Sequence, residues 1–165
     1  MSSYKQAKRD DAKKRGLCQN CLCRPVVMQR RTCRDCLMSR NISEAFKFDR
    51  SRKLSGITEL RGSCYVDQFN DDVRRDWIDL IKAKWTGQCF YTGLPIEIGS
   101  TAGIDHMLPV SRAKVFGPQK VFHPDNLVWA DKRINILKGD MTPGEFYAWL
   151  GGIAQSDEFG GRKLP

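Results

Sequence analysis

Apolar positions recur over residues 67–85 as Phe69, Val73, Trp77, Leu80, Ile81 and Trp85. These spacings form one stripe of an amphipathic helix, which Gly87 stops. The pattern then changes to CFYTGLPIEIGSTAGIDHMLPVSR. Two extended runs, 88–91 and 102–108, flank residues rich in Gly, Pro and Ser, which predicts two paired strands joined by a loop. A long loop passes Gly117 and Pro118 to reach HPDNLVW, and 130–138 reads as a short helix capped by Gly139. Thr142-Pro143-Gly144-Glu145 has the form of a capping box with proline first in the helix, opening a helix that carries Phe146, Trp149 and Leu150. A loose tail is expected from Gly151. Residues 37–62 are polar and basic with few apolar anchors, the pattern of a connector that orders on binding.

A chain of 165 residues, 41% hydrophobic, has room for one compact domain or a modest domain plus an appendage. Its net charge of +9 points to a polyanionic partner. The distribution says more than the total. Residues 1–62 hold 16 basic and 6 acidic side chains, or +10, whereas residues 63–165 carry −1. No stretch approaches the roughly 18 apolar residues of a membrane span. The first residues, MSSYKQAKRDDAKKRG, lack an apolar h-region, so secretion is not expected. Seven cysteines, an odd number, fit metal or free thiols in a reducing cytoplasm better than disulfides.

Four of those cysteines form two pairs, Cys18-Gln-Asn-Cys21 and Cys33-Arg-Asp-Cys36. Two CxxC pairs suit tetrahedral zinc, because each knuckle aims two thiolates at one point. The interval between pairs is short but admits a small hairpin around Pro25, Val26 and Val27. Cys23 is a fifth thiol that competes with Cys21 as a ligand, and redox-active or buried cysteines are the plainer alternative. Arg24, Arg30, Arg31 and Arg34 surround the pairs, a phosphate-gripping surface rather than a merely solvated face.

Residues 103–112 read GIDHMLPVSR and place one of only two histidines after an aspartate. Alternate side chains on a strand face opposite ways. Asp105 and His106 therefore converge on one atom only where the strand ends or bends, and Pro109 favours such an end. The run DHMLPVSR, then HPDNLVW at 123–129 and RINILKGD at 133–140, resembles the HNH (ββα-metal) nucleases. Asp105, His106, Pro109, Ser111, Asn126, Leu127, Asn135, Lys138 and Gly139 match the family pattern in order. CFYTGLPIEIG is similar to the first strand in homing-type and phage-borne members. The resemblance covers about residues 86–147 and leaves out 1–62. It departs where relatives carry a second zinc held by cysteines, for only Cys89 remains, with Thr92, Asp131 and Ile134 at the other positions. A structural zinc is not expected there, which leaves Trp77, Trp85, Trp129 and Phe146 to hold the domain by packing.

The resemblance implies an α+β fold: a small ββα-metal nuclease core with flanking helices, plus an N-terminal zinc-knuckle module. The expected division is 1–40 zinc module, 41–62 basic linker, 63–150 nuclease domain and 151–165 flexible tail, with residues 63–165 expected to fold alone. His106 is the implied base, with Asn126 holding it by hydrogen bonds across the loop. Asp105 and Asn135 are the implied ligands of Mg2+ or Mn2+, oxygen donors that suit a hard ion. Cys18, Cys21, Cys33 and Cys36 would bind structural Zn2+. Arg112 and Lys138 are expected to join Arg24, Arg30, Arg31 and Arg34 in contacting phosphate. The implied activity is metal-dependent cleavage of double-stranded DNA in a bacterial or phage-infected cytoplasm. Two alternatives stay open: a zinc-containing nucleic-acid-binding protein with an inert nuclease-like domain, and an RNA-directed nuclease. His106 also fits a structural histidine, Asn126 a turn residue, Asn135 a solvent-facing helix position, His123 a loop residue and Cys64 a packing residue.

Overall fold

The extended run beginning at Ala102 finds its partner further along the chain than its loop pattern predicts. In the computed structural model, which describes residues 3–27, 31–45 and 71–155, Ala102–His106 (β1) pairs antiparallel with Leu127–Asp131 (β2). Ile104 lies opposite Trp129 and Asp105 opposite Val128. Every residue of β2 is buried, so its sequence LVWAD shows no alternation to identify a strand. The expected strand at 88–91 is instead a turn, held by Cys89 N–H to Leu94 O at 2.8 Å and a single bridge between Gln88 and Pro95. Gly93, at φ 67, supplies the left-handed turn that ends extension there. This turn touches the sheet through Phe90 N–H to Trp129 O at 2.9 Å.

Strand β2 runs directly into Lys132–Lys138, which follows the two short helices Ala113–Phe116 and Pro118–Val121 of the intervening loop. Asp131 caps the new helix, its carboxylate accepting Arg133 N–H at 2.8 Å. The helix therefore starts two residues later than expected, with Ala130 and Asp131 in the strand. Gly139, at φ 52, ends it as predicted.

The amphipathic helix spans Asp71–Ala83 within the described residues. Ile81 is fully buried and Trp77, Ile78 and Trp85 pack on the core, while Leu80, expected in the stripe, is 56% exposed. Trp129 locks the sheet to this helix, donating Nε1–H to Ile81 O at 3.0 Å and meeting Trp85 edge-on at 4.9 Å. The capping box forms: Thr142 N–H reaches Glu145 Oε2 at 2.7 Å and Glu145 N–H reaches Thr142 Oγ1 at 3.4 Å. Its helix, Pro143–Gln155, buries Phe146 and continues through Gly151 to Gln155, so the expected loose tail does not begin at 151.

The largest departure is at the N-terminal side. Arg34–Ala45 is a helix, and its Leu37, Met38 and Ile42 are buried in the same core as Ile81, Leu127 and Trp129. Residues 37–45 are thus core-forming and not a connector, and the rest of the expected linker lies outside the described residues. With its helix in the shared core, the cysteine module is not an appendage, and residues 63–165 alone lack part of their own core. In chain order the helices are α1 (Ser3–Lys14), α2 (Arg34–Ala45), α3 (Asp71–Ala83), α4 (Ala113–Phe116), α5 (Pro118–Val121), α6 (Lys132–Lys138) and α7 (Pro143–Gln155). No helix among the described residues is long and apolar enough to cross a membrane.

Candidate active site and metal centre

Strand β1 ends at His106, three residues before Pro109, whose extended backbone leads into a single 3-10 turn at Val110–Arg112. Asp105 and His106 consequently take different surroundings. Asp105 is 5% exposed and faces α6 and the 88–95 turn. Its Oδ2 accepts the Tyr91 hydroxyl and lies 3.3 Å from Lys138 Nζ. Burial raises the Asp105 carboxyl above its ordinary value, against the opposing pull of the Tyr91 hydrogen bond and the Lys138 charge. Burial and the neighbouring carboxylate also raise the Tyr91 phenol, so Tyr91 keeps its proton and donates.

The His106 ring packs edge-on against Phe122 at 5.6 Å. Its Nε2 is buried without a hydrogen-bond partner among the described residues. Burial, and secondarily the Lys138 charge, lower its pKa to about 4. The imidazole is therefore neutral at neutral pH, the protonation state a base requires.

Asn126 closes the loop between the strands. Its Oδ1 accepts Leu108 N–H at 2.7 Å, and its Nδ2 donates to Leu108 O at 3.0 Å and Val121 O at 2.7 Å. Backbone bonds from Met107 N–H to Asn126 O and from Asn126 N–H to His123 O, both 2.9 Å, complete the closure next to His106. Asn126 ends the 3-10 turn Pro124–Asn126 and, at 6% exposure, is also a buried cross-link. Asn135, on α6, donates Nδ2–H to Ile104 O at 3.3 Å, the carbonyl just before Asp105. No donor among the described residues reaches its Oδ1.

Lys138 and Arg112, expected to contact phosphate, both have partners within the protein. Lys138 is 1% exposed, and its ammonium is shared among Asp105, His106 O at 3.2 Å and Met141 O at 2.9 Å. Asn135 and Lys138, three residues apart on α6, both reach β1 carbonyls, Lys138 from a buried position. Arg112 is held by both carboxylate oxygens of Glu145, at 2.7 and 2.9 Å. That bond, with the Thr142 contacts, holds the Glu145 carboxyl down to about 2. Tyr91, the donor to Asp105, had no signal beyond its place in a presumed strand. His123 is exposed, with Nδ1 accepting Asp125 N–H at 3.3 Å, as a loop residue would.

The cysteine cluster gathers as its spacing predicts. The Sγ atoms of Cys18, Cys21, Cys33 and Cys36 all lie within 4.8 Å of one another, with Cys21 and Cys33 at 3.7 Å. A zinc tetrahedron with Zn–S near 2.3 Å places sulfurs roughly 3.8 Å apart, so the set is compatible with structural zinc. Cys33 directly precedes α2 and Cys36 lies in its first turn, which anchors half the cluster to a core helix. The first knuckle turns through left-handed backbone at Leu22 (φ 61), unusual for a branched side chain. Asn20 N–H points to Cys18 Sγ at 3.4 Å, and the backbone N–H of Cys23 leads the effects that lower the Cys21 thiol to about 6. Cys23 itself is exposed and outside the cluster, so Cys21 takes the ligand position. Cys89 is buried in the core, its Sγ accepting Asp131 N–H at 3.3 Å.

Of the expected phosphate-binding arginines, Arg31 is exposed and Arg30 lies outside the described residues. Arg24 pairs with Asp35 at 2.9 Å, and Arg34 lies over the Trp85 ring at 5.3 Å. Comparison with protein-family models, curated proteins and solved structures gives no match to this chain, so its reading rests on these residues and their geometry.

Proposed function

We propose that this chain is a metal-dependent endonuclease of the HNH type that hydrolyses phosphodiester bonds in double-stranded DNA, with the cysteine module binding zinc and adding affinity. One observation carries the reading. A single β1–loop–β2–α6 unit ends its first strand in Asp105-His106, clamps the following loop with Asn126, and bonds Asn135 to the carbonyl preceding Asp105.

His106 is neutral and its Nε2 has no hydrogen-bond partner among the described residues, which suits it to take a proton from an attacking water. The water oxygen attacks phosphorus as its proton passes to His106, and the bond to the 3′ oxygen breaks. Asn126 keeps the loop beside His106 in place. Both side-chain contacts of Asp105 fall on Oδ2, so Oδ1 of Asp105 and Oδ1 of Asn135 are the hard oxygens that fit Mg2+ or Mn2+. Such an ion, when bound, neutralises the phosphate and the departing 3′ oxygen. Lys138 offsets the buried Asp105 charge and ties it to the His106 backbone.

A second reading, a zinc-containing nucleic-acid-binding protein with an inert nuclease-like unit, is favoured by a different observation. Asp105 already has two partners, and His106 Nε2 is enclosed beside Phe122. Incubating the full chain with supercoiled plasmid separates the two. Nicked or linear DNA in magnesium or manganese, suppressed by a chelator, is expected. DNA binding without cutting in any divalent ion favours the second reading, and cutting of RNA alone replaces the substrate.

A further inference from the structure

Basic side chains from three parts of the chain meet at the seam between the cysteine module and α3. Arg24 Nη1 lies 2.9 Å from Asp35 Oδ2, and Lys82 Nζ lies 3.2 Å from Asp35 Oδ1. Arg34, one residue before Asp35, covers the Trp85 ring. With Met38 they line an open cleft of about 480 Å³. Each oxygen of the Asp35 carboxylate is taken by a different cation, much as two oxygens of a phosphodiester would be. Three cations against this carboxylate leave the cleft positive, although Lys82 also reaches the exposed Asp79 at 3.5 Å. The ion pairs are partly exposed, with Arg24 and Asp35 side chains 58% and 41% accessible, so an incoming anion can compete for them.

We propose that this cleft is a phosphate subsite for the nucleic-acid backbone, in which Arg24, Arg34 and Lys82 grip the phosphate and Asp35 is a built-in competitor that it displaces. The inference rests on the nucleic-acid part of the function proposed above and adds Lys82, from the near-neutral part of the chain, to the binding surface. A structural ion cluster and a phosphate subsite differ in the sign of one substitution. Removing the Asp35 charge weakens a structural cluster but frees a phosphate subsite.

The test is equilibrium binding of a short fluorescent DNA duplex by the zinc-loaded full chain across a salt series, with thermal melting to confirm folding. Asp35→Asn is expected to tighten binding about 5-fold, the order of a partly exposed ion pair. Lys82→Gln should weaken binding and reduce the salt slope by about 1, as loss of one phosphate contact does. Asp72→Asn makes the same charge change on the exposed face of α3, where Asp72 pairs with Arg75, and should leave affinity near wild type. A folded Asp35→Asn protein that binds no more tightly, or equal tightening by Asp72→Asn, overturns the subsite. Should Asp35→Asn not fold, an unchanged salt slope in Lys82→Gln overturns it. Competition by a glutamate polymer equal to that of unlabelled duplex would also overturn it, as a site for acidic protein. Wild-type protein that binds no DNA defeats the nucleic-acid reading itself, whereas binding untouched by these variants defeats only the cleft.

Discussion

An ammonium withdrawn from water is costly unless acceptors surround it, and Lys138 has three: Asp105 and the carbonyls of His106 and Met141. Replacing Lys138 with Met should cost about 3 kcal/mol by denaturant unfolding, because Asp105 keeps its burial and loses its cation. A variant of near wild-type stability would mean that Asp105 is neutral in the folded protein. Asn126→Ala removes three hydrogen bonds to the loop, one buried and two partly buried, and should cost about 2 kcal/mol in the same measurement. These two residues also show what was readable. That Asn126 bonds across the loop came from the family resemblance and not from its residue type, which reads equally as a turn, and the bonds across the loop are there. Spacing on a helix gives direction only, so it could not separate a surface lysine from a buried one. The Arg112 ion pair was hidden for a related reason, since its partner Glu145 is 33 residues away and belongs to a capping box that explains itself locally.

Helix α7 is held at its start by two interactions on one carboxylate, the Thr142 cap and the Arg112 pair. With its folded-state pKa near 2 against an ordinary 4.5, Glu145 contributes stability that is present above about pH 4.5 and lost as pH falls toward 2. Glu145→Gln should therefore narrow the gap in melting temperature between pH 5 and pH 2.5, about where the two protonation states exchange. An unchanged gap would place the acid sensitivity elsewhere. Helix α2 escaped the sequence for a different reason. Leu37, Met38 and Ile42 are few among polar neighbours, and only packing against α3 and β1 makes a helix of them. The partner of β1 was hidden by a fully buried strand and by the loop of two short helices before it. The capping box and Gly139 were legible because caps are local chemistry.

One core joins the cysteine cluster to the candidate active site, for Cys33 and Cys36 flank the start of the helix that inserts Ile42 into the core shared with Trp129. Zinc binding and folding of the whole molecule should then be coupled. The purified protein is expected to hold about one zinc per chain, and Cys18→Ser with Cys21→Ser to lose it. Melting should shift as a single transition for the entire protein. A zinc-free variant with an unchanged transition in the 71–155 region would show the module to be independent after all. Ile42→Ala, at a fully buried site, should cost about 3 kcal/mol, and residues 63–165 alone should be less stable still.

Plasmid cleavage by the zinc-loaded full chain in magnesium, set against its His106→Ala variant with DNA affinity measured alongside, bears most directly on the proposed function. The wild type should cut. The variant should lose cutting while binding duplex almost as before, since it removes the base and leaves the basic surface and the cysteine cluster intact. A folded His106→Ala protein that cuts near the wild-type rate would remove His106 as the base and with it the assigned mechanism.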